Sequence, residues 1–131
     1  MTKITKTPTL FVDIDGTIVK YRKFSELGQS TITPIQDVID FINDHHKNGA
    51  IIIITTARPE KYRLFTEEEL NTIGIKWNQL VMDCGRGTRV VLNDIDPKNP
   101  EIKRAHGINL VRDGGLNNIE IPSDIKPYES K

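Results

Sequence analysis

The chain has 131 residues, 37% of them apolar and 27% charged, the composition of one ordinary globular domain rather than of a disordered or fibrous chain. Formal net charge is zero and the pI is about 6.8, so no basic face for nucleic acid is advertised. One cysteine, Cys84, excludes an internal disulfide framework, and no apolar run approaches the length of a bilayer span. These features predict a reducing, cytoplasmic setting and no membrane partner.

Leu10, Phe11 and Val12 read as a buried strand that continues to about Ile14 and is interrupted at Gly16. From Thr17 to Ser30 the chain is polar, with a basic cluster of Lys20, Arg22 and Lys23, and a solvated hairpin or loop is expected. Pro34 is placed to open a helix with Thr33 as its cap, followed by Ile35, Val38, Ile39 and Ile42 on one face, and Asn48-Gly49 ends it. His45 and His46 fall near its C-terminus, where the helix dipole and solvent account for them.

Ala50 to Ile54 is the uninterrupted apolar run expected of a strand covered on both faces. A second helix is expected between Pro59 and Ile73, with Thr66 and Glu69 as a capping box and Gly74 as its stop. Leu80 to Met82 predicts a short strand, Gly85-Arg86-Gly87 a basic loop, and Val90 to Leu92 a further buried strand ending at Asn93 and Asp94. A short helix over Glu101 to His106 and a last strand around Ile108 to Val111 complete the expected core, at about residues 8 to 113. The tail, 114 to 131, reads as an extended wrap or disordered end of the same single domain. Buried strands alternating with helices define an α/β protein with a mainly parallel sheet.

Ligands of open parallel sheets sit at the carboxyl ends of the strands. Three expected strands end in reactive residues: Asp13 with Asp15, Thr55 with Thr56, and Asn93 with Asp94. Carboxylates converging on one crevice call for a cation, and hard oxygen ligands favour Mg²⁺. A carboxylate can attack phosphorus, and a second one two residues on can move the proton. Gly16 lets the main chain turn or approach a phosphate closely.

Phe11-Val12-Asp13-Ile14-Asp15-Gly16-Thr17 resembles the first motif of the haloacid dehalogenase (HAD) superfamily, an apolar strand followed by DxDGT. The resemblance implies a Rossmann-like three-layer sandwich. It implies Asp13 as nucleophile and Mg²⁺ ligand, and Asp15 as general acid/base that also lends its carbonyl to the metal. The second aspartate marks phosphatases and phosphotransferases within that superfamily. Ile51 to Ile54 followed by Thr55-Thr56-Ala57-Arg58 resembles the second motif, which binds phosphate. Thr56, Ala57 and Arg58 are the favoured residues and Thr55 the fallback. Val90-Val91-Leu92-Asn93-Asp94 is similar to the fourth motif, implying Asp94 as a metal ligand with Asp96 a weaker candidate. The third motif's lysine has no counterpart. Arg86 is placed to substitute as a phosphate partner, with Arg89 second.

The resemblance covers roughly Thr9 to Val111, and neither gap between motifs is long enough for a cap domain. It implies the cap-less subgroup, acting on a phosphomonoester such as a sugar phosphate or nucleotide, and leaves room for a homo-oligomer that closes the site. Gln79 to Pro97 is also similar to small hydrolases encoded beside sugar-nucleotide and capsule genes. Two alternatives stand beside this expectation: a polynucleotide 3′-phosphatase, which the neutral charge argues against, and a metal- or phosphate-binding regulatory module that has lost turnover.

Overall fold

A computed structural model describes residues 7–125. The expected tail is therefore described only in part. Strand β1 (Thr9–Val12) is followed by helix α1 (Gln36–Lys47), strand β2 (Ile51–Thr55), helix α2 (Arg63–Thr72) and strand β3 (Gln79–Val81), with short 3-10 turns at Phe24–Glu26, Glu60–Tyr62 and Ser123–Ile125. The protein is α/β. The strands form a small open parallel sheet in the order β1-β2-β3, registered by Val12 opposite Ile54 and by Ile54 opposite Leu80.

Leu10, Val12, Ile52, Ile54 and Leu80 alternate along the strands and point to the core, where Val38, Ile39 and Ile42 of α1 and Leu70 of α2 meet them. The opposite face carries Phe11, Ile51 and Val81, all exposed. Among the described residues the sheet is thus covered by helices on one face, not on the two expected from the Ala50 to Ile54 run. The reason is topological: crossovers in a sequentially ordered parallel sheet take the same hand, which sets both helices on one side.

α1 begins later than expected. Pro34 pairs with Val19 in an isolated antiparallel bridge, and Ile35 donates its N–H to the Ile18 carbonyl, so helical geometry starts only at Gln36. The Asn48 side chain donates to the Asp44 carbonyl, and Gly49, at φ +97°, carries the chain out of the helix. His45 is not at the surface but fully buried. It packs edge-on against Phe41 at 4.6 Å between ring centres, with its Nε2 3.1 Å from the Ile125 carbonyl oxygen.

Beyond β3 the described residues contain no further strand and no α-helix. Val90 to Leu92 is irregular and exposed, Leu92 at 92%, and neither the Glu101 to His106 helix nor the Ile108 to Val111 strand forms. A parallel strand needs a crossover of about a dozen residues or more, usually helical. The segment between Val81 and Val90 is shorter than that and has no helix.

Residues 111–116 nonetheless return to the body of the protein. Leu116 donates its N–H to Asp37 Oδ2 (3.0 Å), at the start of α1. Gly115 sits at φ +63°, and a Cβ there would lie 2.5 Å from Asp37 Oδ1. Gly115→Ala is expected to cost about 1–3 kcal/mol, from left-handed backbone strain and displacement of that carboxylate. A urea titration that leaves the midpoint unmoved would disprove this contact.

Candidate active site

β1 ends at Val12, and the next residue, Asp13, lies at the carboxyl end of the sheet. Continuing the β1–β2 register one step sets Asp13 beside Thr55. The chain then closes a tight turn. Thr17, Ile18 and Val19 all aim their N–H groups at the Ile14 carbonyl, and Gly16 donates to Val19. Gly16 makes this turn at φ +89°, with the Arg112 side chain 3.1 Å from where a Cβ would be. The turn brings the Thr17 hydroxyl to Asp13 Oδ2, at 3.1 Å.

Burial pushes the Asp13 carboxyl above its ordinary value, and the neighbouring Asp15 adds to this. The Thr17 hydroxyl, the Ile14 main chain and the charge of Arg89 pull the other way without reversing it. A raised folded-state value makes Asp13 neutral to stability where both states are protonated, below about 3.8, and destabilising once pH rises through the folded value. Asp13→Asn is therefore expected to gain stability relative to wild type as the pH goes from about 4 to about 7 in chelator. Parallel urea midpoints across that range would refute the shift.

Asp15 is held differently. Both its oxygens accept from Arg58, Oδ2 from Nε at 3.0 Å and Oδ1 from Nη2 at 2.9 Å. Arg58 is 0% exposed, and its Nη1 donates to the Thr66 hydroxyl (3.0 Å) and Glu69 Oε1 (3.1 Å). Glu69 in turn takes a two-oxygen contact from Arg22 Nη2, at 2.8 and 2.9 Å. Arg22, expected on a solvated hairpin, is buried. Arg58, expected as a phosphate ligand, lies within the core and faces Asp15. Thr66 and Glu69 do not form the expected capping box: α2 already runs through Thr66 from Arg63, so both side chains are free to meet the arginines.

Thr56 is buried, and its hydroxyl accepts the Arg58 N–H at 3.1 Å. Thr55 and Ala57 are half-buried, so Thr55 presents the more open hydroxyl. Arg86 stacks its guanidinium over the Phe24 ring, 4.4 Å from the centre. Arg89 is fixed by the carbonyls of Cys84, Gly85 and Gly87 at 3.3, 3.0 and 2.8 Å. It is the arginine of this loop whose charge acts on Asp13.

Asp94 is not gathered with the other aspartates. It is exposed and pairs with Arg104 at 3.0 Å, a consequence of the missing strand before it. Asp96 closes a local turn by accepting the Lys98 N–H. Among the described residues no group of three or more His, Cys, Asp or Glu side chains is placed to hold a metal ion.

Two residues beside the site escaped the sequence reading. Asp113 accepts the Tyr21 N–H (2.7 Å) and donates its own N–H to the Gly16 carbonyl (2.9 Å), while Arg112 lies over the Tyr21 ring at 3.9 Å. Their only sequence signal is the turn-forming Asp-Gly-Gly run, which does not say what the turn docks against. A groove of about 390 Å³ lined by Lys103, His106, Asn109 and Glu120 contains none of the Asp13 group.

These elements define a small α/β protein with an open parallel sheet and paired aspartates just past its first strand. No family model, curated protein or solved structure matches the chain. No helix among the described residues is long and apolar enough to cross a membrane.

Proposed function

We propose that the protein is a Mg²⁺-dependent phosphatase of the HAD type, acting on a small phosphomonoester. The observation that carries this reading is the pair at the end of β1: Asp13, open at the carboxyl end of the sheet and joined to the Thr17 hydroxyl, and two residues later a second carboxylate, Asp15, held by a buried arginine. The three-layer Rossmann-like sandwich of that type would need the face carrying Phe11, Ile51 and Val81, open among the described residues, to be covered as well.

In the first step an Asp13 oxygen forms a bond to phosphorus as the ester P–O bond breaks, and the leaving oxygen takes a proton from Asp15, which enters this step as the neutral acid, protonated from water; the Arg58 fork fits the ionised form that Asp15 has between the two steps. In the second, water attacks the aspartyl-phosphate, its proton passes to Asp15, and inorganic phosphate departs. The Thr17 hydroxyl orients Asp13, the Thr55 hydroxyl and the main chain at Gly16 face the phosphoryl oxygens, and Arg89 supplies positive charge as theirs develops.

The donor set fits Mg²⁺ in part. Asp13 and the Asp15 carbonyl offer hard oxygens, whereas Asp94 lies in the Arg104 pair and would have to leave it. When bound, the ion neutralises charge among the aspartates and the phosphate.

The test is phosphate release, with Mg²⁺ and with chelator, from sugar phosphates, nucleotides, 3′-phosphorylated oligonucleotides and p-nitrophenyl phosphate. Mg²⁺-dependent release from a small ester supports the reading, and preference for the oligonucleotide favours the polynucleotide enzyme instead. A second reading, a phosphate-binding module without turnover, draws on the engagement of both Asp15 oxygens by Arg58. Phosphate binding by calorimetry without release from any ester would decide for it.

A further inference from the structure

We propose that Arg58 is a positioning residue for Asp15, not a ligand of the substrate phosphate, and that α2 sets the orientation of the acid/base through it. This rests on the phosphatase reading above. Of the five N–H donors of the guanidinium, four are engaged: Nε and Nη2 on Asp15, and Nη1 on both Thr66 and Glu69. No part of the residue is exposed, so no face remains for a phosphoryl oxygen.

A side-on fork fixes the plane of a carboxylate as well as its place, which a single point charge does not. Asp15 follows β1 in a turn closed by local hydrogen bonds around Ile14 and Val19 and by the Asp113 N–H on the Gly16 carbonyl, none of which orients its side chain. Its side chain gains a fixed plane from Arg58. Arg58 gains its own from Thr66 and Glu69, one helical turn apart on α2. Arg22 completes the group by covering Glu69, and it brings the loop after β1 under the same control. With Asp15 ionised, the four charges, two positive and two negative, balance within the protein, so substrate need not neutralise any of them.

The leaving group makes the inference testable. An alkyl phosphate needs a proton on its departing oxygen, whereas p-nitrophenolate departs without one. Arg58→Lys keeps the charge and loses the fork. It is expected to lower kcat/KM for glucose 6-phosphate about 10²-fold relative to p-nitrophenyl phosphate, the size of effect that misplacing a catalytic group produces. Inhibition by inorganic phosphate should stay at its wild-type strength. An equal fall for both esters together with weakened phosphate inhibition would make Arg58 a phosphate ligand and overturn the proposal. If Arg58→Lys does not fold, the near-isosteric Thr66→Val, which removes one acceptor, must shift the ester ratio in the same direction. An unchanged ratio in that folded variant overturns the proposal too. A wild type that releases phosphate from no ester of the panel above, with Mg²⁺ present, brings down the phosphatase reading itself, before any variant is compared.

Discussion

Asp13→Asn is expected to abolish phosphate release, by on the order of 10⁴-fold or more, while the protein stays folded. The amide occupies nearly the same volume but has no charge and no lone pair basic enough to attack phosphorus. It can still accept from Thr17, so the turn after β1 should close as before. Two measurements belong together: steady-state release, and trapping of phosphoenzyme by acid quench. Wild type should yield an acid-stable, hydroxylamine-labile phosphoenzyme and Asp13→Asn none. Because Asp13 is held above its ordinary value by burial, the same substitution should also relieve the metal-free protein. A variant that is both inactive and more stable would separate loss of chemistry from loss of fold. Activity persisting in Asp13→Asn would remove the nucleophile assignment.

Arg58→Ala is expected to be the most damaging single change to stability. Removing one partner from a buried ion group leaves the others desolvated and uncompensated, at a cost of about 3–5 kcal/mol. Asp15 and Glu69 would face each other's side of an emptied space, with Arg22 still paired to Glu69 alone. Domains of this kind hold about 5–15 kcal/mol in total, so the variant should sit near its unfolding threshold. Adding Asp15→Asn to Arg58→Met should recover part of the loss, since the carboxylate left without its cation goes with it while Glu69 keeps Arg22. Urea denaturation of the single and double variants measures this. Losses that simply add would mean that the four residues do not act as one group.

The two outcomes differ in what made them legible. Asp13, Asp15 and Gly16 stand next to an apolar run, and a strand that ends in chemistry can be read from adjacent residues alone. The same is true of the α1 face, whose Val38, Ile39 and Ile42 recur at helical spacing and are buried as expected, and of the sequential β–α–β–α–β order. Arg58 sits just as close in sequence to its strand, yet its burial against Asp15 could not be read there. Nothing in Thr-Thr-Ala-Arg-Pro states whether the arginine points out toward a ligand or in toward Asp15, because that depends on a partner forty-three residues away. Glu69, expected in a capping box, and Arg22, expected on a solvated hairpin, are further cases, each placed by a partner of opposite sign far away in sequence.

Local pattern marks which stretches favour strand or helix, because apolar period and glycine conformation are properties of neighbouring residues, but it did not fix where α1 and α2 begin. It does not determine whether a short apolar run is paired. Val90 to Leu92 has the composition of a buried strand, and only the path of the chain after β3 decides that it is exposed and that Asp94 turns to Arg104. In the same way the docking of Arg112 and Asp113 onto Tyr21 and Gly16 was a matter for the tertiary structure alone. Charge pairing and strand addition are contacts between distant segments, set by the closing of the chain, and an individual stretch of sequence carries only the residues that could make them.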